Sequence, residues 1–176
     1  MAALNRNPEN TNILQPTKFQ LVFPKVTTMT YFLQSFSIPD VSTNAAIQNS
    51  PFVDLPRPGD KLKYGTLQIN FIVDEDMWAY QVIYDWLRGI TFPCSFAEYK
   101  NLNRDSFSSV FATKPQYSDG FLTILSGLNN PRTKFHFLNI FPVGLSEINF
   151  DTKESSENVV TATAYFNYHI FNILRS

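Results

Sequence analysis

Six glycines, two histidines and a single cysteine are all that this 176-residue chain contains of those three residue types. The glycines are too few and too scattered to form a loop that cradles nucleotide phosphates. There is likewise no nucleophile elbow and no zincin motif. Cys94 cannot form an internal disulfide, which suits folding in reducing surroundings. His136 and His169 lie in alternating, strand-like segments far from Cys94, whereas a zinc site needs three or four ligands. No metal or other cofactor is expected. Charged residues make up 16% of the chain, below the usual ~25%. The net charge of −1 leaves no basic footprint for tight nucleic-acid binding. No apolar run approaches the ~20 residues that span a bilayer, so no membrane partner is expected. Residues 1–15 are polar and Asn-rich, without a secretory signal pattern, and read as an N-terminal arm.

What the chain does have is aromatic mass: 17 Phe and 8 Tyr. Much of it falls in segments of period 2, several with apolar residues on both faces. A strand that is apolar on both faces is normally buried on both. One sheet of a lone domain does not provide that, so the pattern predicts a subunit that completes its burial against copies of itself.

The expected architecture is mainly β: an antiparallel barrel or sandwich with one α-helix at about 75–88, forming a single domain over 16–176. Residues 17–23 alternate cleanly, and 30–38 read as a second strand in a hairpin with the first. Residues 64–73 are the clearest strand, with Leu67, Ile69 and Phe71 on the core side. Further strands are expected at 117–126, 133–141 and 146–150. A long last strand at 159–173 places Ala162, Ala164, Phe166, Tyr168 and Ile170 on one side and Phe171 on the other. Residues 94–116 give no clear pattern.

Two stretches stand out as candidate contact surfaces. Residues 39–63 hold Pro39, Pro51, Pro56 and Pro58, yet also Val41, Ile47, Phe52, Val53 and Leu55, which a solvent loop would not carry. The segment reads either as an irregular loop folded over the core or as an extended loop or hairpin that packs on another subunit, with Arg57 and Lys61 beside the apolar residues. Arg57, Lys61 and Lys63 would suit phosphate, but solvated charges or salt-bridge partners explain them with less. The second stretch is the helix. Asp74 is expected to cap it, and Glu75 and Asp76 to complement its dipole. Capping explains these carboxylates with fewer assumptions than a metal or acid–base cluster. Ala79, Val82, Ile83, Trp86 and Ile90 form its core face, and Gly89 and Pro93 its end. Met77, Tyr80, Tyr84 and Leu87 form a second apolar stripe that needs cover from the long loop or a neighbour.

The ordered set of features resembles the tail tube protein family of contractile-tailed bacteriophages. Three stretches carry it: PTKFQLVF (16–23), FSIPDVSTNAAIQNSPFVDLPRPGDKLKYGTLQINFIVDEDMWAYQVIYDWL (36–87) and IFPVGLSEINFDTKESSENVVTATAYFNYHIF (140–171). The resemblance implies a structural virion protein that is not an enzyme. It implies six-fold rings of identical subunits stacked into a hollow tail tube, assembled in the host cytoplasm. The implied partners are the sheath, the tape-measure protein, the baseplate hub, and a tube initiator or terminator. Double-stranded DNA would pass through without specific binding. A baseplate tube initiator and a type VI secretion tube subunit resemble the same stretches. From the residues alone, a monomeric β-barrel that binds a lipid or small ligand is the competing class.

Overall fold

A computed structural model describes residues 12–27, 29–104, 116–151, 153 and 158–175. Residues 1–11 of the arm and residues 105–115 thus lie outside the described residues. The strands are β1 (Phe19–Val22), β2 (Leu33–Ser37), β3 (Val41–Gln48), β4 (Leu55–Tyr64), β5 (Leu67–Ile72), β6 (Ser118–Leu125), β7 (Pro131–Leu145), β8 (Thr161–Asn167) and β9 (Ile170–Arg175). Three helices accompany them: α1 (Met29–Phe32), α2 (Trp78–Thr91) and α3 (Phe96–Arg104). The fold is mainly β with antiparallel pairing, as the alternation predicted, but the described residues carry three helices where one was expected.

Seven strands form one sheet in the order β1-β6-β7-β8-β5-β2, with β9 also on β7. The expected hairpin of the first two strands does not form. Residues 29–32 are helical instead, and β1 pairs with β6 while β2 pairs with β5. The path curls so that its two ends meet: Phe19 on β1 and Phe36 on β2 lie edge to face at 4.8 Å. A groove lined by Leu14, Phe19, Leu33, Phe36, Ile38 and Ile124, among others, runs along that seam.

Inward residues of each strand build the core. Leu67, Ile69 and Phe71 of β5 face Phe166, Ala164 and Ala162 of β8 in register, and all six are buried. Gln68 and Asn70 point the other way, as period 2 requires. Phe166 stacks on Phe23 at 5.3 Å and meets Trp86 at 6.2 Å. Ala79, Ile83 and Trp86, spaced to share one helical face, bring α2 onto this core.

The last strand breaks at Tyr168–His169. β8 and β9 run along one side of β7 in a continuous register, from Phe141↔Asn167 to Leu138↔Ile170. Opposite the break, Asn139 has a left-handed backbone, φ 53°, and the β6–β7 register shifts by one residue. This is a β-bulge, and it reverses the in–out alternation beyond it. Ile170 therefore lies outside, and Phe171 packs inward against Phe137, Tyr168 and Tyr64. The sequence reading had these two exchanged. Residues 146–150 form no strand.

Candidate assembly surface

Residues 41–64 form a β-hairpin that stands apart from the main sheet. β3 and β4 pair only with each other, and all eight residues of β3 are exposed. Its root is closed where the Gly65 N–H donates to the Asp40 carbonyl at 2.9 Å. The hairpin form explains how a proline-rich stretch makes a regular strand. Pro56 pairs with Ile47, and Pro58 with Ala45. Proline has no N–H, so these positions belong to non-hydrogen-bonded pairs whose nitrogens face away from β3. The prolines thus sit on the outer edge of β4 and deny it to an added strand.

The pairing also makes the hairpin two-faced. Val41, Tyr64, Thr43, Leu62, Ala45, Pro58, Ile47 and Pro56 lie on one face, an almost wholly apolar set. Ser42, Lys63, Ala46, Arg57, Gln48 and Leu55 lie on the other. There the Arg57 Nε donates to Gln48 Oε1 at 2.5 Å, while Lys61 lies in the bulge between Leu62 and Pro58, outside the paired positions. Ile47 is 67% exposed, and Phe52 at the tip is 97% exposed. Val53, Leu55 and Leu62 are exposed as well. The structure thus brings the sequence-selected residues Val41, Ile47, Phe52, Val53, Leu55, Arg57 and Lys61 onto one projecting element. Leu62 and the two prolines complete its apolar face; period 2 across an assumed hairpin could have found them.

The opposite end of β5 leads into the acidic turn and α2. Asp74 does not occupy the position just before the helix. Met77 does, with a left-handed backbone at φ 52°. The Asp74 carbonyl accepts the Met77 N–H at 2.9 Å, and its carboxylate reaches over this turn to accept the Trp78 N–H at 3.3 Å. The helix therefore starts at 78 rather than 75. Glu75 and Asp76 are exposed in the turn. The helix also runs past the buried Gly89 to Thr91, where Phe92 caps it in a left-handed conformation.

The second helical stripe does not act as one surface. Tyr80 and Leu87 are half-buried against the chain's own core, and the Tyr80 hydroxyl donates to the Ser146 carbonyl at 3.4 Å. Met77 precedes the helix. Tyr84 is exposed, with the Arg88 guanidinium 5.9 Å from its ring centre. The long hairpin does not cover them; α3 packs on α2 instead, tied by the Arg88–Glu98 ion pair. Of the predicted core residues, Leu67, Ile69, Phe71 and Trp86 are buried, and Val82 is half-buried against the core.

The histidines serve local packing. His136 stacks on Phe121 at 4.5 Å, with its Nε2 3.8 Å from Asp119. His169 Nδ1 lies 3.2 Å from the Asn139 amide. Among the described residues, no three His, Cys, Asp or Glu side chains gather as a metal site, and no helix is long and apolar enough to cross a membrane. Two ionisable groups in the core wall have displaced pKa values. Burial lowers Lys25, 4.8 Å above the Trp86 ring, to about 8. Burial, with Tyr64 and Asp40 nearby, raises Tyr168 to about 12.

The fold recurs in assembled particles. The chain is 13% identical to a protein of the anti-feeding prophage tube-terminating cap, covering 100% of both chains with a TM-score of 0.61. It is 11% identical to a chain of the extended PVC sheath–tube complex, an extracellular contractile injection system, covering 94% of each with a TM-score of 0.60. A chain of the anti-feeding prophage baseplate is 15% identical, covering 94% of this chain and 97% of that one with a TM-score of 0.58. No curated protein matches by sequence. The family profile for phage tail tube proteins matches residues 23–174, nearly the whole described β domain. The chain belongs to the phage tail tube protein family, whose members are structural proteins and not enzymes.

Proposed function

We propose that this chain forms six-membered rings that stack into the hollow inner tube of a contractile tail. The single observation that carries this reading is the hairpin. A two-stranded ribbon is marginal on its own in water, and this one leaves Ile47, Phe52, Val53 and Leu62 exposed. Burying one such side chain contributes on the order of 1.5–3 kcal/mol, so a neighbouring subunit can repay the cost of ordering the ribbon. A sheath surrounds the tube, a tape-measure protein fills it during assembly, and DNA passes through it at ejection. The near-neutral chain suits passage without binding.

A second reading has the chain at one end of the tube, as an initiator on the baseplate hub or as a terminator. It is favoured by the likeness to cap and baseplate proteins, which is as high as that to the tube complex. Sedimentation velocity and negative-stain electron microscopy of the purified chain test both. Six-fold rings that extend into tubes are expected of a tube subunit, and six-fold rings that stop at one layer of an end component. A monomer at every concentration overturns both.

A further inference from the structure

We infer that the N-terminal arm turns back on residues 13–16 and lays residues 1–4 into the mouth of the groove between β1 and β2 of the same copy. There it covers the two strand edges that flank the groove. Neither rings nor stacking are needed for this contact.

β1 and β2 are the two ends of the sheet path. Among the described residues each pairs on one side only, β1 with β6 and β2 with β5. Five antiparallel steps join them, so they run in opposite directions across the seam where Phe19 meets Phe36. Residues before Phe19 therefore lie opposite residues after Phe36, which sets Leu14, Gln15 and Pro16 across the groove mouth from Ile38. The groove has a volume of about 740 Å³. Among the described residues Lys18 is the one charged group in its lining, and its Nζ donates to the Gly127 carbonyl. An uncharged occupant is therefore favoured. The outer edges of β1 and β2 offer backbone hydrogen bonds to an extended segment.

The chain itself leads into this groove. The described residues begin at Asn12, and residues 14–20 form one wall. Upstream, Asn7-Pro8-Glu9-Asn10 is a turn signature, with Asn favoured at the first position and Pro at the second. A turn centred on Pro8-Glu9 sets Leu4 against Ile13 and Ala3 against Leu14. It carries Ala2 and Met1 along Gln15 and Pro16 to the mouth. Ile13 is 92% exposed and Leu14 63%, so the apolar start of the arm meets uncovered apolar partners. Residues 1–4 are also uncharged, as the groove lining requires. A tether of about ten residues holds the segment near its own groove at millimolar effective concentration. The arm of another copy competes poorly against that. Once seated, the arm shields edges that would otherwise pair with other chains.

Disulfide trapping in the dilute full chain tests this. In a Cys94→Ser background, Ala2→Cys is combined with Ile38→Cys at the mouth. The control combines it with Val159→Cys, which is exposed past the opposite end of β5, where the Val73 N–H donates to the Val160 carbonyl. Copper–phenanthroline oxidises the thiols. The mouth pair is expected to close within the monomer about tenfold faster than the control, the ratio for a modest preference of the arm for its groove. Its rate should not depend on protein concentration. Equal rates for the two pairs overturn the inference. Cross-linked dimers in place of closed monomers also overturn it and assign the groove to another copy. A second variant, Ala2→Asp with Leu4→Asp, places charge in the uncharged groove. Hydrogen exchange in β1 and β2 is expected to rise about tenfold while β5 and β8 stay protected. Unchanged exchange in β1 and β2 shows that the arm does not cover their edges.

Discussion

The carboxylate of Asp119 and the backbone of Asn139 face each other across the β6–β7 ladder: Asp119 Oδ1 accepts the Asn139 N–H at 3.4 Å. Asp119 is buried, and Asn139 holds the left-handed conformation of the bulge. At this point the outer side of β7 passes from β9 to β8, and the alternation of the last strand reverses. A short polar side chain thus replaces the ladder hydrogen bond that the bulge removes.

Substitution at Asn139 should follow backbone preference rather than size. Asn139→Val is expected to cost about 2 kcal/mol, because β-branched residues resist positive φ. Asn139→Gly is expected to cost less, about 1 kcal/mol or under, since glycine accepts the conformation and only the contact to His169 is lost. Asp119→Ala leaves the bulge N–H without its acceptor and is expected to cost about 1–3 kcal/mol. Urea unfolding gives all three values. A Gly variant less stable than the Val variant would contradict the bulge argument.

Trp86 ties α2 to the barrel. It is buried, its Nε1 donates to the Gln116 carbonyl at 2.9 Å, and its ring meets Phe166. Trp86→Ala is expected to destabilise by ~3–5 kcal/mol. Trp86→Phe keeps part of the packing and should lose less. A thermal midpoint that barely moves in the Ala variant would show that the indole is not core.

Alkaline pH should act through two buried groups with opposite signs. Tyr168 has its pKa raised to about 12, chiefly by burial, from an unfolded value of 10.0. Its contribution is complete below about pH 10 and is lost as pH rises toward 12. Lys25 is lowered to about 8 from 10.5 by burial. Between those values the unfolded chain binds more protons, so stability from this site rises with pH. Tyr168→Phe should remove the loss above about pH 10, and Lys25→Met the gain between about pH 8 and 10. The Tyr168 hydroxyl has no hydrogen-bond partner among the described residues, so its removal should cost little at neutral pH. Urea midpoints across this range for the three proteins test both signs. A Tyr168→Phe protein with the wild-type alkaline fall would sink the first assignment.

Local rules carried far in this sequence, and long-range ones did not. The alternation at Leu67, Ile69 and Phe71 predicted β5 and its buried face, because one strand on a core needs nothing else. The apolar content of 39–63 marked the hairpin, although its prolines also fitted an irregular loop. Nothing local says that β1 pairs with β6, some hundred residues away, rather than with the next segment. The parity reversal at Phe171 depends on Asn139, on a different strand. Likewise the start of α2 depends on Met77 in a conformation methionine rarely adopts.

Excision of the hairpin separates folding from assembly. Val41 and Tyr64 are direct cross-strand partners, and the root is closed just below them by the Gly65–Asp40 hydrogen bond. Replacing residues 42–63 with an Asn-Gly turn therefore asks the chain only to close a two-residue hairpin between partners already opposed. The excised residues are exposed except for the half-buried Ser50 and Gly59, and the main sheet pairs without them. Stability is expected to change by about 1 kcal/mol or less, the range for surface changes that touch no core contact. Solubility should rise, because Ile47, Phe52, Val53 and Leu62 leave the surface with it. Stacking should be lost under conditions where the full chain forms tubes, while single rings persist. Electron microscopy of both proteins at matched concentration decides this. Tubes of normal length from the shortened chain would move ring-to-ring contact to another surface; an unfolded shortened chain would make the hairpin part of the fold, against its exposure along both strands.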